Sequence, residues 1–301
     1  MDGSIKVSII IPTYNSLQKL KKALQSIEQI DSPAESYEVI VVDDGSNDQT
    51  GAYIVDLANK TNFSLVSIYQ ENRGPAAARN MGIRKAKGDY ILIIDSDCYV
   101  NKNIIKEYLN HFPCEGLAGV GGEVLPLQHN YISRYLDYRG VWRPGFNSYD
   151  ITYLVTANAF FCKKAVLEVG GFDEDFRYPG GEEPELCYRL KRKGYFFQYE
   201  KKAVVVHAHR TNLKSMIKMF KAHGIGFRIG ADKWDDLKWS NKLILNHLLG
   251  KTLIPFGVNV FKSVNVFCAV YFTLLEYIRI LSFLYGYYKK KSNINALGGT
   301  S

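Results

Sequence analysis

Short apolar runs alternate with longer amphipathic stretches along the first hundred residues of the chain. Runs of consecutive apolar, β-branched residues that end in turn-forming residues predict buried strands, whereas apolar positions three and four residues apart predict helices. The predicted strands cover residues 7–11, 37–42, 65–69 and 90–94, and the predicted helices cover residues 17–30, 48–59 and 74–86. Strands that alternate with helices are typical of an α/β domain with a mostly parallel sheet.

Polar residues follow three of these predicted strands. Residues 13–15 (Thr-Tyr-Asn) follow the first strand, residues 43–44 (Asp-Asp) the second and residues 95–97 (Asp-Ser-Asp) the fourth. Ligands of open α/β sheets bind in the crevice beyond the carboxyl ends of the strands. The pattern therefore predicts a ligand site at this edge of the sheet.

Asp95 and Asp97 can both point into that crevice if the chain leaves the pleat after the fourth strand. Carboxylate oxygens suit Mg²⁺ or Mn²⁺, which proteins commonly hold through one or two acids together with substrate phosphates. A pair of solvated turn acids is the alternative. Asp43 and Asp44, at a second strand end, favour the metal site over that alternative.

Glu182, Glu183 and Glu185 form an acidic cluster ahead of a predicted helix at residues 186–193. Acids at a helix N-terminus stabilise the helix through its dipole, and such a cluster needs no further function. A carboxylate that takes a proton from a hydroxyl nucleophile is the functional alternative. The local sequence leaves both interpretations open.

Two histidines, His207 and His209, follow the β-branched run at residues 203–206. If the strand continues, its alternation places both imidazoles on one face. No third ligand at a useful spacing supports a zinc site. The pattern instead favours a single histidine that joins a metal held by aspartates.

The composition of the chain indicates a folded protein with an anionic partner. Of its 301 residues, 47% are hydrophobic and 23% are charged, and the formal net charge is +8. No arginine-rich tract or zinc-finger spacing points to nucleic acid. The five cysteines are scattered without a CxxC pair, and the N-terminus lacks a signal-peptide pattern, so we expect a reducing, cytoplasmic location.

The last part of the chain has a different character. Residues 243–288 are apolar and aromatic and end in a lysine cluster at 289–291. The best apolar window, residues 264–275, is shorter than the ~20 residues that a spanning helix needs. We therefore expect helices that lie in the membrane interface, with ordinary core-packing helices as the alternative.

Several motifs occur together in a characteristic order, and as a set they resemble family 2 of the glycosyltransferases, which have the GT-A fold. The resemblance covers about residues 5–210. The matching segments are residues 7–15, 42–48, 74–80, 88–90, 95–97, 156–158, 170–173 and 182–190. It implies a catalytic GT-A domain at 1–210, with a Rossmann-like sheet flanked by helices, and a C-terminal helical extension at 211–301.

The resemblance also implies roles for residues on the donor side. Pro12, Tyr14 and Asp44 match positions that hold the nucleoside, where Asp44 accepts hydrogen bonds from the base. Arg79 matches a position close to the donor nucleotide. Thr156 stands where many relatives have glycine, so we expect an altered donor-sugar pocket.

The remaining implied roles concern the metal and the chemistry. Asp95 and Asp97 match the DxD motif, with Asp97 the more direct ligand of Mn²⁺ or Mg²⁺, and His207 matches a further ligand position. Glu183 matches the catalytic base and Glu182 its neighbour, although the base in the family is usually aspartate.

The resemblance implies an inverting, metal-dependent enzyme that transfers a sugar from a nucleotide-sugar donor to a hydroxyl of a saccharide or lipid-linked acceptor. Such an enzyme would serve polysaccharide or glycoconjugate synthesis at the inner face of the cell membrane, with peripheral contact through residues 243–291. A non-catalytic carbohydrate-binding relative is the alternative. A nicotinamide dehydrogenase is disfavoured because the first strand–helix turn, residues 12–15, is not glycine-rich.

Overall fold

The computed structural model of the chain describes residues 5–33, 36–146, 150–234 and 266–289. The strands are β1 (Val7–Thr13), β2 (Tyr37–Asp43), β3 (Ser64–Tyr69), β4 (Tyr90–Ile93), β5 (Cys98–Val100), β6 (Leu117–Pro126), β7 (Gly145–Phe146), β8 (Ile151–Tyr153), β9 (Ala159–Cys162) and β10 (Phe196–His207). The helices are α1 (Leu17–Ile27), α2 (Thr50–Ala58), α3 (Pro75–Lys85), α4 (Ile104–Leu109), α5 (Tyr131–Tyr138), α6 (Lys163–Glu168), α7 (Glu182–Arg192), α8 (Leu213–Lys233) and α9 (Val266–Tyr288), with a 3-10 turn at Thr156–Asn158.

Eight of these strands form one mixed sheet in the order β3-β2-β1-β4-β9-β6-β10-β5. The first four strands pair in parallel, as the alternating pattern predicts. The antiparallel strand β9 separates them from the parallel pair β6 and β10, and β5 closes the edge antiparallel to β10. The expected α/β class is confirmed, with antiparallel strands confined to the second half of the sheet.

Strand β1 lies inside the sheet, between β2 and β4, and its side chains alternate between two covered faces. Ile9 and Ile11 belong to the same buried cluster as Leu20 and Leu24 of α1. Ile10 points to the other face, where its side chain meets α3 so closely that a Cβ at Gly82 would collide with it. With both faces covered by helices, β1 reads as a nearly continuous apolar run.

The register of the strands brings the predicted polar residues to one edge. Thr13 of β1 lies opposite Asp43 of β2, and the backbone N–H of Asp44 donates to the Thr13 carbonyl at 2.9 Å. The turn after β4 carries the aspartate pair at the same end of the sheet. His207 reaches this edge from the end of β10, where it pairs with Cys98. Strand β10 ends at His207, so strand alternation does not extend to His209.

The chain divides into two compact units. The first contains the sheet and comprises Met1–Leu127, Gly140–Arg177 and Glu182–Ala208. The second comprises Gln128–Arg139, Tyr178–Gly181 and His209–Ser301. Residues 128–139, 178–181 and 209–210 of the range 1–210 therefore group with the C-terminal residues.

Within the second unit, α8 and α9 pack closely against each other. A side chain at Gly224 would collide with the Phe283 carbonyl, and one at Gly286 would collide with the Lys221 carbonyl. Glu276 is fully buried on α9 and accepts a hydrogen bond from the Tyr135 hydroxyl at 2.6 Å.

The charges of α9 are paired inside the second unit. Arg279 bonds to Glu276 at 2.7 Å, and Arg139 lies 3.4 Å from the same carboxylate. The helix α9 continues through Glu276 and Arg279, which follow the apolar window at residues 264–275. Its residues Phe267–Tyr288 are long and apolar enough to cross a membrane, judged by length and composition alone.

Candidate active site

Four side chains from three elements converge at the carboxyl edge of the sheet. Asp95 and Asp97 lie in the turn after β4, Cys98 begins β5 and His207 ends β10. Their potential ligand atoms all lie within 4.8 Å of one another. The Nε2 atom of His207 lies 3.2 Å from Oδ1 of Asp97. The structure thus brings the predicted aspartates and His207 together, and adds Cys98, which directly follows Asp97 in the sequence and was not among the predicted residues.

The donor set of this group fits a divalent cation. Two carboxylates suit Mg²⁺ and Mn²⁺ alike, and an imidazole is a ligand that Mn²⁺ accepts more readily than Mg²⁺ does. Burial, followed by the charges of Asp95 and Asp97, raises the pKa of the Cys98 thiol well above its ordinary value. Thiolates suit softer metals than Mg²⁺ or Mn²⁺, so Asp95, Asp97 and His207 are the residues that would hold the ion.

A lysine forms an ion pair with Asp97. The ammonium Nζ of Lys19, in the first turn of α1, lies 3.0 Å from Oδ2 of Asp97. Both oxygens of Asp97 are thus engaged, one by Lys19 and the other by His207. Sequence reasoning missed Lys19, although α1 begins directly beyond the carboxyl end of β1, where residues face the crevice.

The buried guanidinium of Arg79 links Asp95, in the turn after β4, to Glu182 at the start of α7. Its Nη2 lies 3.2 Å from Oδ1 of Asp95, and its Nη1 donates to Oε1 of Glu182 at 2.9 Å. The side chain of Arg79 is only 4% exposed. These bonds give Arg79 a structural role in the site that is independent of any contact with a nucleotide.

The two acids at the start of α7 have different environments. Glu182 is fully buried, and this burial, reinforced by the charge of Glu183, raises the pKa of Glu182 to about 8 despite the opposing effect of Arg79. Glu183 is partly exposed and accepts a hydrogen bond from the Thr156 hydroxyl at 2.8 Å. Glu183 is therefore the acid of the pair that a bound molecule can reach.

Thr156 is buried, with 1% of its surface exposed, and its hydroxyl is directed to Glu183. The expected effect of Thr156 on the donor-sugar pocket stays a prediction. Its observed contact is with Glu183, which stands where the resemblance implies an aspartate. The two departures from the family pattern are thus one hydrogen-bonded pair.

The predicted nucleoside residues lie at the ends of β1 and β2. Asp44 is 4% exposed, and its carboxylate accepts hydrogen bonds from the Gln70 amide at 2.7 Å and from the backbone N–H groups of Arg73 and Gly74, each at 2.9 Å. Burial raises the pKa of Asp44, and these hydrogen bonds lower it in part. Asp44 therefore orders the loop before α3. The ring of Tyr14 remains 43% exposed.

Comparison with known proteins assigns the chain to a family. The sequence profile named "Glycosyl transferase family 2" matches residues 8–166, and the profile named "Glycosyl transferase family group 2" matches residues 90–289. The chain belongs to glycosyltransferase family 2. The expected membership is thus confirmed.

Individual relatives agree with this assignment. The pre-mycofactocin glycosyltransferase of Mycobacterium tuberculosis is 31% identical over 225 residues, which cover 70% of this chain and 44% of that protein. The dolichyl N-acetyl-alpha-D-glucosaminyl phosphate 3-beta-D-2,3-diacetamido-2,3-dideoxy-beta-D-glucuronosyltransferase of Methanococcus voltae is 28% identical over 72% of this chain and 71% of that protein. The chain thus spans less than half the length of the first of these relatives.

Solved structures show that the fold is GT-A. A mannosyltransferase from Pyrobaculum calidifontis, in complex with GDP-Man and Mn²⁺, superposes with a TM-score of 0.69 at 18% identity and covers 96% of this chain and 90% of its own. Residues 1–349 of TarS from Staphylococcus aureus, in complex with UDP-GlcNAc, give a TM-score of 0.54 at 16% identity and cover 94% and 89%. At these identities the likeness concerns the fold alone.

The raised pKa of Glu182 predicts a pH-dependent stability of this family 2 chain. The folded protein retains the proton of Glu182 up to about pH 8, whereas the unfolded chain releases it near 4.5. The stability contributed by the protonated carboxyl is therefore complete below pH 4.5 and is lost as the pH rises to about 8. We expect the free energy of unfolding of the native protein to fall, relative to that of Glu182→Gln, across this interval in denaturant titrations.

Glu28→Gln, at the exposed C-terminal end of α1, controls for the loss of one negative charge. If the difference in the free energy of unfolding between the native protein and Glu182→Gln does not change with pH, the assigned environment of Glu182 is contradicted.

Proposed function

We propose that the chain transfers a sugar from a nucleotide-sugar donor to a hydroxyl of an acceptor. The observation that carries this proposal is the Arg79 bridge, which joins the cation-binding acids to the acid pair that begins α7. One group of carboxylates can hold a metal that in turn binds a diphosphate, and the other can accept a proton. Both kinds of group are what sugar transfer from a diphosphate requires.

Glu183 is the proposed catalytic base. It takes the proton of the acceptor hydroxyl while that oxygen bonds to the anomeric carbon of the donor sugar. The bond from the anomeric carbon to the diphosphate oxygen breaks on the opposite face, so the nucleoside diphosphate leaves and the anomeric configuration inverts. Glu183 is favoured over the buried Glu182 because Glu183 is partly exposed. The hydroxyl of Thr156 holds the Glu183 carboxylate in place.

Asp95, Asp97 and His207 are the proposed ligands of Mn²⁺ or Mg²⁺. When bound, such an ion stabilises the negative charge that develops on the leaving diphosphate. The relative from Pyrobaculum calidifontis was solved with Mn²⁺, which supports this choice. Pro12, Tyr14 and Asp44 are the proposed contacts of the nucleoside.

The donor and acceptor classes follow from the relatives as part of the same proposal. The structural neighbours were solved with GDP-Man and with UDP-GlcNAc, which supports a nucleoside-diphosphate sugar as the donor. The proposed acceptor is a saccharide or a lipid-linked molecule, because the names of two relatives contain poly(ribitol-phosphate) and a dolichyl phosphate. Such an acceptor is consistent with synthesis of polysaccharides or glycoconjugates.

A donor screen with a base-deficient variant tests the proposed reaction. UDP-, GDP- and dTDP-sugars are incubated with the native protein, with and without Mn²⁺, and hydrolysis or transfer is measured. We expect one donor class to react, only with the metal, and Glu183→Gln to slow the reaction by about 10²- to 10⁴-fold because it cannot accept the proton. Affinity for the nucleoside diphosphate should be unchanged in calorimetry.

Glu28→Gln, which makes the same chemical change at an exposed position, should react like the native protein. Near-normal turnover by Glu183→Gln would overturn its role as base. A native protein that binds a nucleotide sugar but never cleaves it would support the non-catalytic alternative instead.

We also propose peripheral contact with a membrane through residues 243–291, of which 243–265 and 290–291 lie outside the described residues. The described helix α9 carries a continuous apolar stripe, whose members recur every three or four residues. Their exposure ranges from 49% for Tyr277 to 90% for Phe267. The stripe consists of Phe267, Val270, Leu274, Tyr277, Leu281, Tyr285 and Tyr288.

Anionic lipid is the proposed occupant of this stripe. Aromatic and aliphatic side chains on one face of a helix are typical of segments that lie in the lipid interface, and nearby cations strengthen their attraction to anionic headgroups. Lys221 lies 4.4 Å from the ring centre of Tyr285, and the lysine cluster follows α9 directly. Such a location would place the chain at the inner face of the cell membrane.

Charges in the stripe should weaken binding to vesicles. Leu274→Glu combined with Leu281→Glu places two carboxylates where apolar side chains would enter the lipid. The fraction of protein that sediments with phosphatidylglycerol-containing vesicles is measured for this double variant and for the native protein. We expect the variant to bind the vesicles at least about tenfold more weakly.

Val55→Glu combined with Leu167→Glu makes the same changes at two exposed apolar positions of the first unit. This control should bind vesicles like the native protein. Equal binding by both double variants, or no binding by the native protein, would overturn the membrane contact.

A further inference from the structure

We propose that Lys19 neutralises Asp97 while the metal is absent and binds the diphosphate of the donor once the metal is present. This inference rests on the proposed function and assigns a donor-binding residue that neither the motifs nor the comparisons indicate. It follows from the position of one ammonium group in a site built for a divalent cation.

The contacts of Asp97 show the conflict that a metal ion creates. Oδ2 of Asp97 faces the Lys19 ammonium at 3.0 Å, and Oδ1 faces Nε2 of His207 at 3.2 Å. The Asp97 side chain is 12% exposed, so few other directions of approach remain. An ion that binds Asp97 and His207 must enter the space that these contacts define. It would then lie within a few ångströms of the ammonium, and like charges at such a separation repel strongly.

The two cations of the site differ in their freedom to move. Arg79 is held between Asp95 and Glu182, and its side chain is 4% exposed. The side chain of Lys19 is 47% exposed, and Asp97 is its one ion-pair partner among the described residues. Entry of a metal therefore displaces Lys19 and leaves Arg79 in place.

The backbone of α1 limits how far the displaced ammonium can travel. Leu20, the next residue, is fully buried, and Leu24 one turn later is 1% exposed, so the Cα of Lys19 keeps its place. The ammonium must remain near the metal. A diphosphate carried by that metal is then the closest anion, and a lysine ammonium is a common phosphate ligand in proteins.

A surface ion pair without function is the competing interpretation. Exposed salt bridges contribute little to stability, so replacing Lys19 would then change neither metal nor nucleotide binding in a defined direction. Our proposal requires two changes of opposite sign. Removing the ammonium should strengthen binding of the metal alone, because a competitor is gone, and should weaken binding of a diphosphate, because a ligand is gone.

The experiment measures both affinities by calorimetry for the native protein, Lys19→Met and Lys22→Met. Lys22 is an exposed lysine on the same helix and provides the same loss of charge. For Lys19→Met we expect the Kd of Mn²⁺ alone to fall about threefold to fivefold. In the presence of saturating Mn²⁺, the Kd of UDP or GDP should rise about tenfold or more.

UMP and GMP serve as a second probe, since they lack the phosphate that the ammonium would contact. Their affinities should be alike in Lys19→Met and the native protein. Lys19→Arg, which retains the charge, should bind UDP or GDP more tightly than Lys19→Met.

Unchanged affinity of Lys19→Met for both Mn²⁺ and the diphosphates would overturn the proposal, as would equal effects of Lys22→Met. Failure of the native protein to bind any nucleoside diphosphate with Mn²⁺ would overturn the proposed function itself. The two failures are thus distinguishable.

Discussion

The buried guanidinium of Arg79 is the interaction on which the arrangement of the site depends. It is held by Asp95 on one side and Glu182 on the other, and these acids are separated from each other by 87 residues in the sequence. Loss of either carboxyl group leaves N–H groups of the buried guanidinium without a partner, which typically costs about 1–3 kcal/mol, and more for a charged group. The bridge therefore stabilises the relative position of the turn after β4 and the start of α7.

The acid pair of α7 depends on this bridge for its division of roles. Glu182 points to Arg79 in the interior, and Glu183, the next residue on the helix, points to Thr156 and remains partly exposed. Neighbouring residues on a helix project in different directions, so one of them can anchor the helix while the other faces the crevice. A glutamate at position 183 reaches further than an aspartate, and the Thr156 hydroxyl restrains it.

Much of the fold could be predicted from the sequence because its signals are local. The apolar runs of β1, β2 and β4, and the polar residues that end them, indicate both the parallel sheet and the edge where ligands bind. The antiparallel insertion of β9 between β4 and β6 could not be predicted, since strand order depends on contacts between distant segments.

The candidate site shows the same limit. Asp95 and Asp97 could be identified from their position after a strand, but the contacts of Lys19 with Asp97 and of Thr156 with Glu183 join residues 78 and 27 positions apart. The local sequence also could not distinguish Glu182 from Glu183. Their difference is one of burial, which arises only when α7 packs beside Arg79.

The two cations of the site resolve an electrostatic problem that its acids create. Asp95, Asp97, Glu182 and Glu183 lie close together, and burial of so many carboxylates without compensation would oppose folding. The buried Arg79 bonds to Asp95 and Glu182, whereas Lys19 pairs with Asp97 through a half-exposed side chain. In the proposed function, the ion takes the place of the Lys19 ammonium beside Asp97, while Arg79 keeps its bonds to Asp95 and Glu182.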